Sequence, residues 1–148
     1  MDNNKSNRRS PLIWVYIVSG VVVIGLLVWA SLRLLQETPV REASVEIPGE
    51  GWVTVRFSTS PFPPVAGDLV QVSFVPLNTR GIMVNLGTNL SFSFGQRGSQ
   101  SPLGVEEANI DPMGMAYQTW VEFPFTGGYW LELDVGGVQN VIFQFNVR

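Results

Sequence analysis

Met113 and Met115 are the side chains of this 148-residue sequence best suited to chemistry. They stand two apart, so in an extended segment both thioethers point the same way. Thioethers are soft ligands that suit Cu(I). Asp111 would add an oxygen, and Met83 would approach from another strand. The competing reading is that these methionines fill irregular gaps in a core, as flexible thioethers do. Two thioethers without a third ligand hold copper weakly, so copper enters only as an alternative. No resident cofactor and no dedicated metal site are expected.

The sequence contains no histidine and no cysteine. That removes Ser-His-Asp hydrolysis, ordinary zinc sites, haem attachment, blue-copper centres and disulfides. The serines have no base to activate them, so catalysis by this chain alone is not expected. Glu106, Glu107 and Asp111 read as an acidic patch in a solvated loop. Adjacent carboxylates on a strand would face opposite ways and would not share one cleft. An EF-hand pattern is absent. Asn89-Leu90-Ser91 matches the glycan acceptor pattern, which matters only in a eukaryotic secretory setting.

Aromatic residues offer a different clue. Trp52, Phe62, Phe92, Phe94, Trp120, Phe123, Phe125, Tyr129 and Trp130 exceed what one small core obviously requires. Trp120 and Trp130 fall on strand faces that also carry Glu122, Glu132 and Asp134. A tryptophan on a polar face points to a contact surface for a partner protein. The alternative is a second sheet covering that face.

What positions these residues begins with the stretch Leu12 to Leu32, LIWVYIVSGVVVIGLLVWASL, which carries no charge. As a helix it would be roughly 31 Å long, matching the hydrocarbon thickness of a bilayer. Leu12 opens it, Trp14 and Tyr16 lie near one end and Trp29 near the other, where amphipathic rings favour the headgroup region. Pro11 suits the first turn. The sequence therefore predicts a transmembrane helix over 11–35, after a disordered tail over 1–10 and before a linker over 36–42. A removable signal peptide is the alternative; the apolar run is too long for one. Lys5, Arg8 and Arg9 place the tail in the cytoplasm and the rest of the chain outside, in a single-pass arrangement. Membrane lipid and other integral membrane subunits are then the expected partners.

Residues 43–148 carry nine Asp or Glu against four Arg and no Lys, a net charge of −5. An acidic domain of this kind excludes nucleic acid as a partner. From residue 43 the pattern alternates with period two. Val70, Val72 and Phe74 oppose Leu69, Gln71, Ser73 and Val75. Tyr117, Thr119, Val121 and Phe123 oppose Gln118, Trp120 and Glu122. Tyr129, Leu131, Leu133 and Val135 oppose Trp130, Glu132 and Asp134. Short runs over 44–47, 52–57, 82–86 and 90–94 add strands, 95–102 reads as a polar loop, and Gly136-Gly137 turns into a final strand over 138–147. Seven or eight short strands with no helical pattern predict an all-β sandwich over 43–148.

Pro63-Pro64-Val65-Ala66-Gly67-Asp68, the strand that follows and Asn78-Thr79-Arg80-Gly81 resemble the opening of a YtkA-like or FixH-like domain. Asp111-Pro112-Met113-Gly114-Met115 is similar to that family's methionine-rich loop. Phe125-Thr126-Gly127-Gly128-Tyr129-Trp130 is similar to its closing motif. The resemblance covers roughly residues 50–148. It implies an immunoglobulin-like sandwich outside the cytoplasm and an accessory or assembly role in a membrane electron-transfer complex, respiratory or photosynthetic. Some relatives handle copper, and this chain departs from those in having no histidine.

Overall fold

The computed structural model describes the backbone of residues 11–34 and 39–148, and the side chains of 15–31 and 39–148. The expected tail over 1–10, the side chains of Leu12 and Trp14, residue 35 of the expected helix and residues 36–38 of the expected linker lie outside the described residues. Two units are present, one holding the helix and one holding the strands.

Helix α1 (Pro11–Leu34) runs for 24 residues, about 36 Å at the usual helical rise. Nothing in the sequence interrupts it: Gly20 and Gly25 stand in open space, and Ser19 and Ser31 turn their hydroxyls back to the carbonyls of Tyr16 and Leu27. Its side chains are exposed on every side over the described stretch, including Tyr16 and Trp29. Counted over the described residues, 15–31 with their side chains, no helix is long and apolar enough to cross a membrane.

Eight strands follow: β1 (Val40–Ile47), β2 (Gly51–Ser60), β3 (Leu69–Asn78), β4 (Asn89–Gln96), β5 (Gly104–Ile110), β6 (Tyr117–Glu122), β7 (Gly127–Val135) and β8 (Gln139–Val147). All pairings are antiparallel, and the hydrogen-bonded order is β1-β2-β3-β6-β5-β4-β7-β8 in one sheet. The sheet curls until β1 comes near β8, giving a near-closed, sandwich-like barrel. The all-β expectation and the strand number hold. The immunoglobulin order does not appear. That fold splits its strands between an ABED and a CFG sheet, whereas β1, β2 and β3 here pair consecutively.

Alternation explains the barrel. Val53, Val55 and Phe57 of β2, Val70, Val72 and Phe74 of β3, Leu131, Leu133 and Val135 of β7, and Val141, Phe143, Phe145 and Val147 of β8 all point inward and are buried. Each partner residue on the other face is polar or solvent-facing, as period-two geometry dictates. Gly136 and Gly137 both hold positive φ, a conformation that side chains resist. They close the expected β7–β8 hairpin, with the Gly137 N–H donating to Asp134 Oδ1 at 2.8 Å.

Four expectations need correction. The strand domain begins at Val40 rather than 43, because Arg41 and Glu42 already pair with Phe57 and Arg56; the Glu42 carboxylate accepts from Arg56 Nε at 2.7 Å. Residues 82–86 form no strand. A single bridge joins Leu77 to Met83, the Val84 N–H donates to the Pro76 carbonyl at 2.9 Å, and the Val84 side chain is buried. The polar loop is shorter than 95–102, since β4 runs on to Gln96. Beyond it, 104–110 is a strand and not a solvated loop: β5 pairs along β4 from Phe94↔Gly104 to Asn89↔Asn109. It meets β6 through only two residue pairs, Asn109↔Gln118 and Ile110↔Tyr117.

Candidate functional site

The aromatic residues divide into two populations. Phe57, Phe74, Phe92, Phe94, Phe123, Tyr129, Phe143 and Phe145 are buried and stack through the core. Phe57 lies 5.1 Å from Phe143, and Phe123 meets Phe94, Tyr129 and Phe145 edge-on at 5.3–5.4 Å. Edge-to-face and offset rings are the favourable arrangements. These residues are the core itself; of the nine aromatics singled out in the sequence, Phe92, Phe94, Phe123 and Tyr129 are packing, Trp52, Trp120 and Phe125 are exposed, and Phe62 and Trp130 are half-buried.

Trp120 belongs to the second population. On β6, Tyr117 and Val121 point inward, so Trp120 points out. It stands opposite Gln71 of β3, with Leu69 on the diagonal, and 60% of its surface is exposed. No second sheet covers that face among the described residues. Beside it, Gln71 Nε2 donates to Gln118 Oε1 at 2.8 Å, fixing the polar flank of an exposed Trp–Leu pair.

Trp130 carries the same sequence signal and meets a different end. Its cross-strand partner is Gly95, and its ring lies over that glycine so closely that a Cβ there would sit 2.6 Å from Trp130 Cζ2. Its indole Nε1 donates to the Ser99 carbonyl at 3.0 Å. An aromatic ring shielding a bare glycine backbone is a known stabilising device in sheets. Trp130 is thus half-buried and engaged within its own domain, lining a shallow groove of about 360 Å³ with Arg97, Ile142 and Gln144.

The thioethers sit elsewhere. Met113 and Met115 occupy the turn between β5 and β6, with 82% and 64% of their surfaces exposed. The turn is built by Asp111: its Oδ1 accepts from the Met115 and Ala116 N–H groups at 2.6 and 3.3 Å, its N–H donates to the Ala116 carbonyl, and its carbonyl accepts from Gly114. Because this segment is a tight turn, the extended geometry expected to align the two thioethers is not present. Nor do these methionines fill a core gap. Met83 does, packing half-buried against the core. Asp111 spends its carboxylate on backbone donors.

The remaining acidic residues do not converge. Glu107 accepts from Asn89 Nδ2 at 2.7 Å across β4–β5, while Glu106 faces the other side of the strand. Among the described residues, no group of three or more His, Cys, Asp or Glu is placed to hold a metal ion. The amide of the Asn89 acceptor pattern is engaged in that same hydrogen bond.

Sequence reasoning counted Phe125 among the surplus aromatics without placing it on a loop, and it missed Val65 and Leu103; all three are exposed apolar residues of loops. The signal was available: residues 61–67, 98–103 and 123–126 contain no charge. Comparison of the chain with protein-family models, with curated proteins and with solved structures finds no match.

Proposed function

We propose that this chain is a non-enzymatic, single-span accessory or assembly subunit, with α1 anchoring it in a membrane and the barrel offering a contact face outside the cytoplasm. The carrying observation is the exposed Trp120–Leu69 pair, set on the rigid β3–β6 ladder with a polar flank. Tryptophan on an otherwise polar surface is the composition of an interface anchor. The uncharged run 12–32 within α1 supports the anchor, since about 20 apolar residues suffice to cross. Lys5, Arg8 and Arg9 support the tail-inside orientation. An electron-transfer complex as the host rests on the family resemblance alone.

Two measurements test this reading. Alkaline washing of native membranes is expected to leave the full chain in the pellet, and its release would remove the anchor. Extraction in mild detergent is expected to bring the chain down with large membrane partners, with Trp120→Ala reducing that recovery. Recovery of the wild type only as a free monomer at native expression level would overturn the subunit reading.

A second reading, a copper-binding chaperone, is favoured by one observation: Met113 and Met115 are exposed and perform no packing. Titration of the full chain with Cu(I) against a competing chelator separates the two. Binding lost in Met113→Leu/Met115→Leu would support the chaperone, and equal competition curves for both proteins would dismiss it.

A further inference from the structure

Small side chains along one strand leave a trough on the outside of the barrel. The outward residues of β4, Ser91, Ser93 and Gly95, alternate with buried Leu90, Phe92 and Phe94. Longer side chains flank them. Ser91 stands opposite Glu107 and Ser93 opposite Val105 of β5. On the other side Ser93 stands opposite Glu132 and Gly95 opposite Trp130 of β7, and Asp134 follows on the same face of β7. Hollows of about 170, 210 and 360 Å³ occupy the low row between these walls. Ser91 and Asp134 line both of the first two, and Glu132 lines both of the last two, so the hollows join end to end.

The dimensions suit an extended ligand. Strands β5 and β7 each lie about 4.8 Å from β4, so the walls stand about 10 Å apart. A helix with its side chains is about 10–12 Å wide and does not fit between them, whereas one extended backbone does. Strand β4 is 8 residues long, which makes the trough about 26 Å long, the span of an extended segment of about the same number of residues.

The charge sets the sign of that ligand. Glu107, Glu132 and Asp134 line the walls. Each carboxylate accepts from a neutral donor through one oxygen: Asn89 Nδ2 to Glu107 Oε2 at 2.7 Å, Asn140 Nδ2 to Glu132 Oε1 at 2.7 Å, and the Gly137 N–H to Asp134 Oδ1 at 2.8 Å. These bonds orient the side chains before any partner arrives, which lowers the cost of docking, and they leave the charges uncompensated. Across β1 and β2, by contrast, Glu42 is offset by Arg56. Among the described residues none of the three wall carboxylates is ion-paired. Arg97 lines only the end beyond Glu132, beside Trp130, whose aromatic ring adds attraction for a cation.

We propose that this trough binds an extended, lysine- or arginine-bearing segment of a partner protein, laid along β4. Every second side chain of such a segment points the same way, and Glu132 and Asp134 recur along β7 at that same spacing. The surface is separate from the Trp120–Leu69 pair on β3–β6, and the proposal does not depend on α1 spanning a membrane.

The full chain in neutral detergent is titrated against a fluorescein-labelled peptide of about eight residues alternating lysine and serine, read by fluorescence anisotropy. Saturable binding is expected, lost in about 0.5 M salt through screening. Glu132→Gln/Asp134→Asn should weaken it about fivefold, the scale of two exposed ion pairs. Both substitutions keep an oxygen for the Asn140 and Gly137 donors, so the fold is retained. Glu46→Gln/Glu50→Gln removes the same charge from outside the trough and should change affinity by less than about twofold. Ser93→Tyr fills the floor without changing charge and should also weaken binding. Equal losses in the two amide pairs would reduce the effect to net charge and overturn the trough, as would full affinity in Ser93→Tyr. Absence of saturable binding by the lysine peptide would overturn the proposal outright, and salt-resistant binding of a neutral oligosaccharide in its place would make the trough a glycan site.

Discussion

Replacing Tyr129 with phenylalanine removes one oxygen atom and two hydrogen bonds, both to Phe125. The ring stays, fully buried against Phe123 and Phe145, so packing is preserved and the hydroxyl is isolated as the variable. Each bond contributes about 1 kcal/mol net. Because Phe125 lies at a surface loop, water partly replaces the lost partner, and the expected destabilisation is about 2 kcal/mol. For a domain of this size that lowers the melting temperature by about 8 °C. The assay is thermal unfolding of the full chain in mild detergent, followed by near-ultraviolet circular dichroism. Tyr16→Phe is the control: the same atom is deleted from an exposed residue of α1, and no shift is expected. The variant also frees the tip, so a nitroxide at 125 should gain mobility. A Tyr129→Phe melting temperature equal to that of Tyr16→Phe would refute the idea that this hydroxyl fixes the β6–β7 loop.

Three further outcomes follow from the geometry. Gly95→Ala places a Cβ 2.6 Å from the Trp130 ring and should cost about 1–3 kcal/mol by overpacking; adding Trp130→Ala should cost less than the two single effects summed, measured by a double-mutant cycle in urea. Phe123→Ala removes the ring that meets three others in the core, and a loss of about 3–5 kcal/mol is expected in the same titration. Glu42→Gln breaks the exposed Arg56 ion pair, and its unfolding midpoint should shift by no more than about 1 kcal/mol.

Where alternation was clean, the sequence sufficed. Strands β3, β6, β7 and β8 each bury one apolar face, and their inward residues could be named from period two. Strand β5 was hidden because Glu106 occupies an inward position in register with buried Phe92 yet remains exposed: the sheet splays there, so the chain escapes the rule that reveals a strand. Residues 82–86 erred the other way. Met83, Val84 and Leu86 are apolar because they pack in or against the core, and the Asn78 side chain, accepting from Arg80 and Ile82 N–H groups, shapes an irregular approach. Trp120 and Trp130 show the limit for surfaces. Identical local patterns led one ring into solvent and the other onto Gly95, because the difference lies in a cross-strand neighbour more than thirty residues away.

The two-pair junction between β5 and β6 gives the barrel a weak side. Every other ladder is longer, so thermal opening begins at this slit, and amide protons along 105–107 and 119–121 should trade with deuterium ahead of those in β2 or β7. A raw strand margin of that kind invites uninvited chains to zip onto it. Glu106 and Glu107 put two charges beside that rim, the kind of residue that blunts strand addition at an open margin.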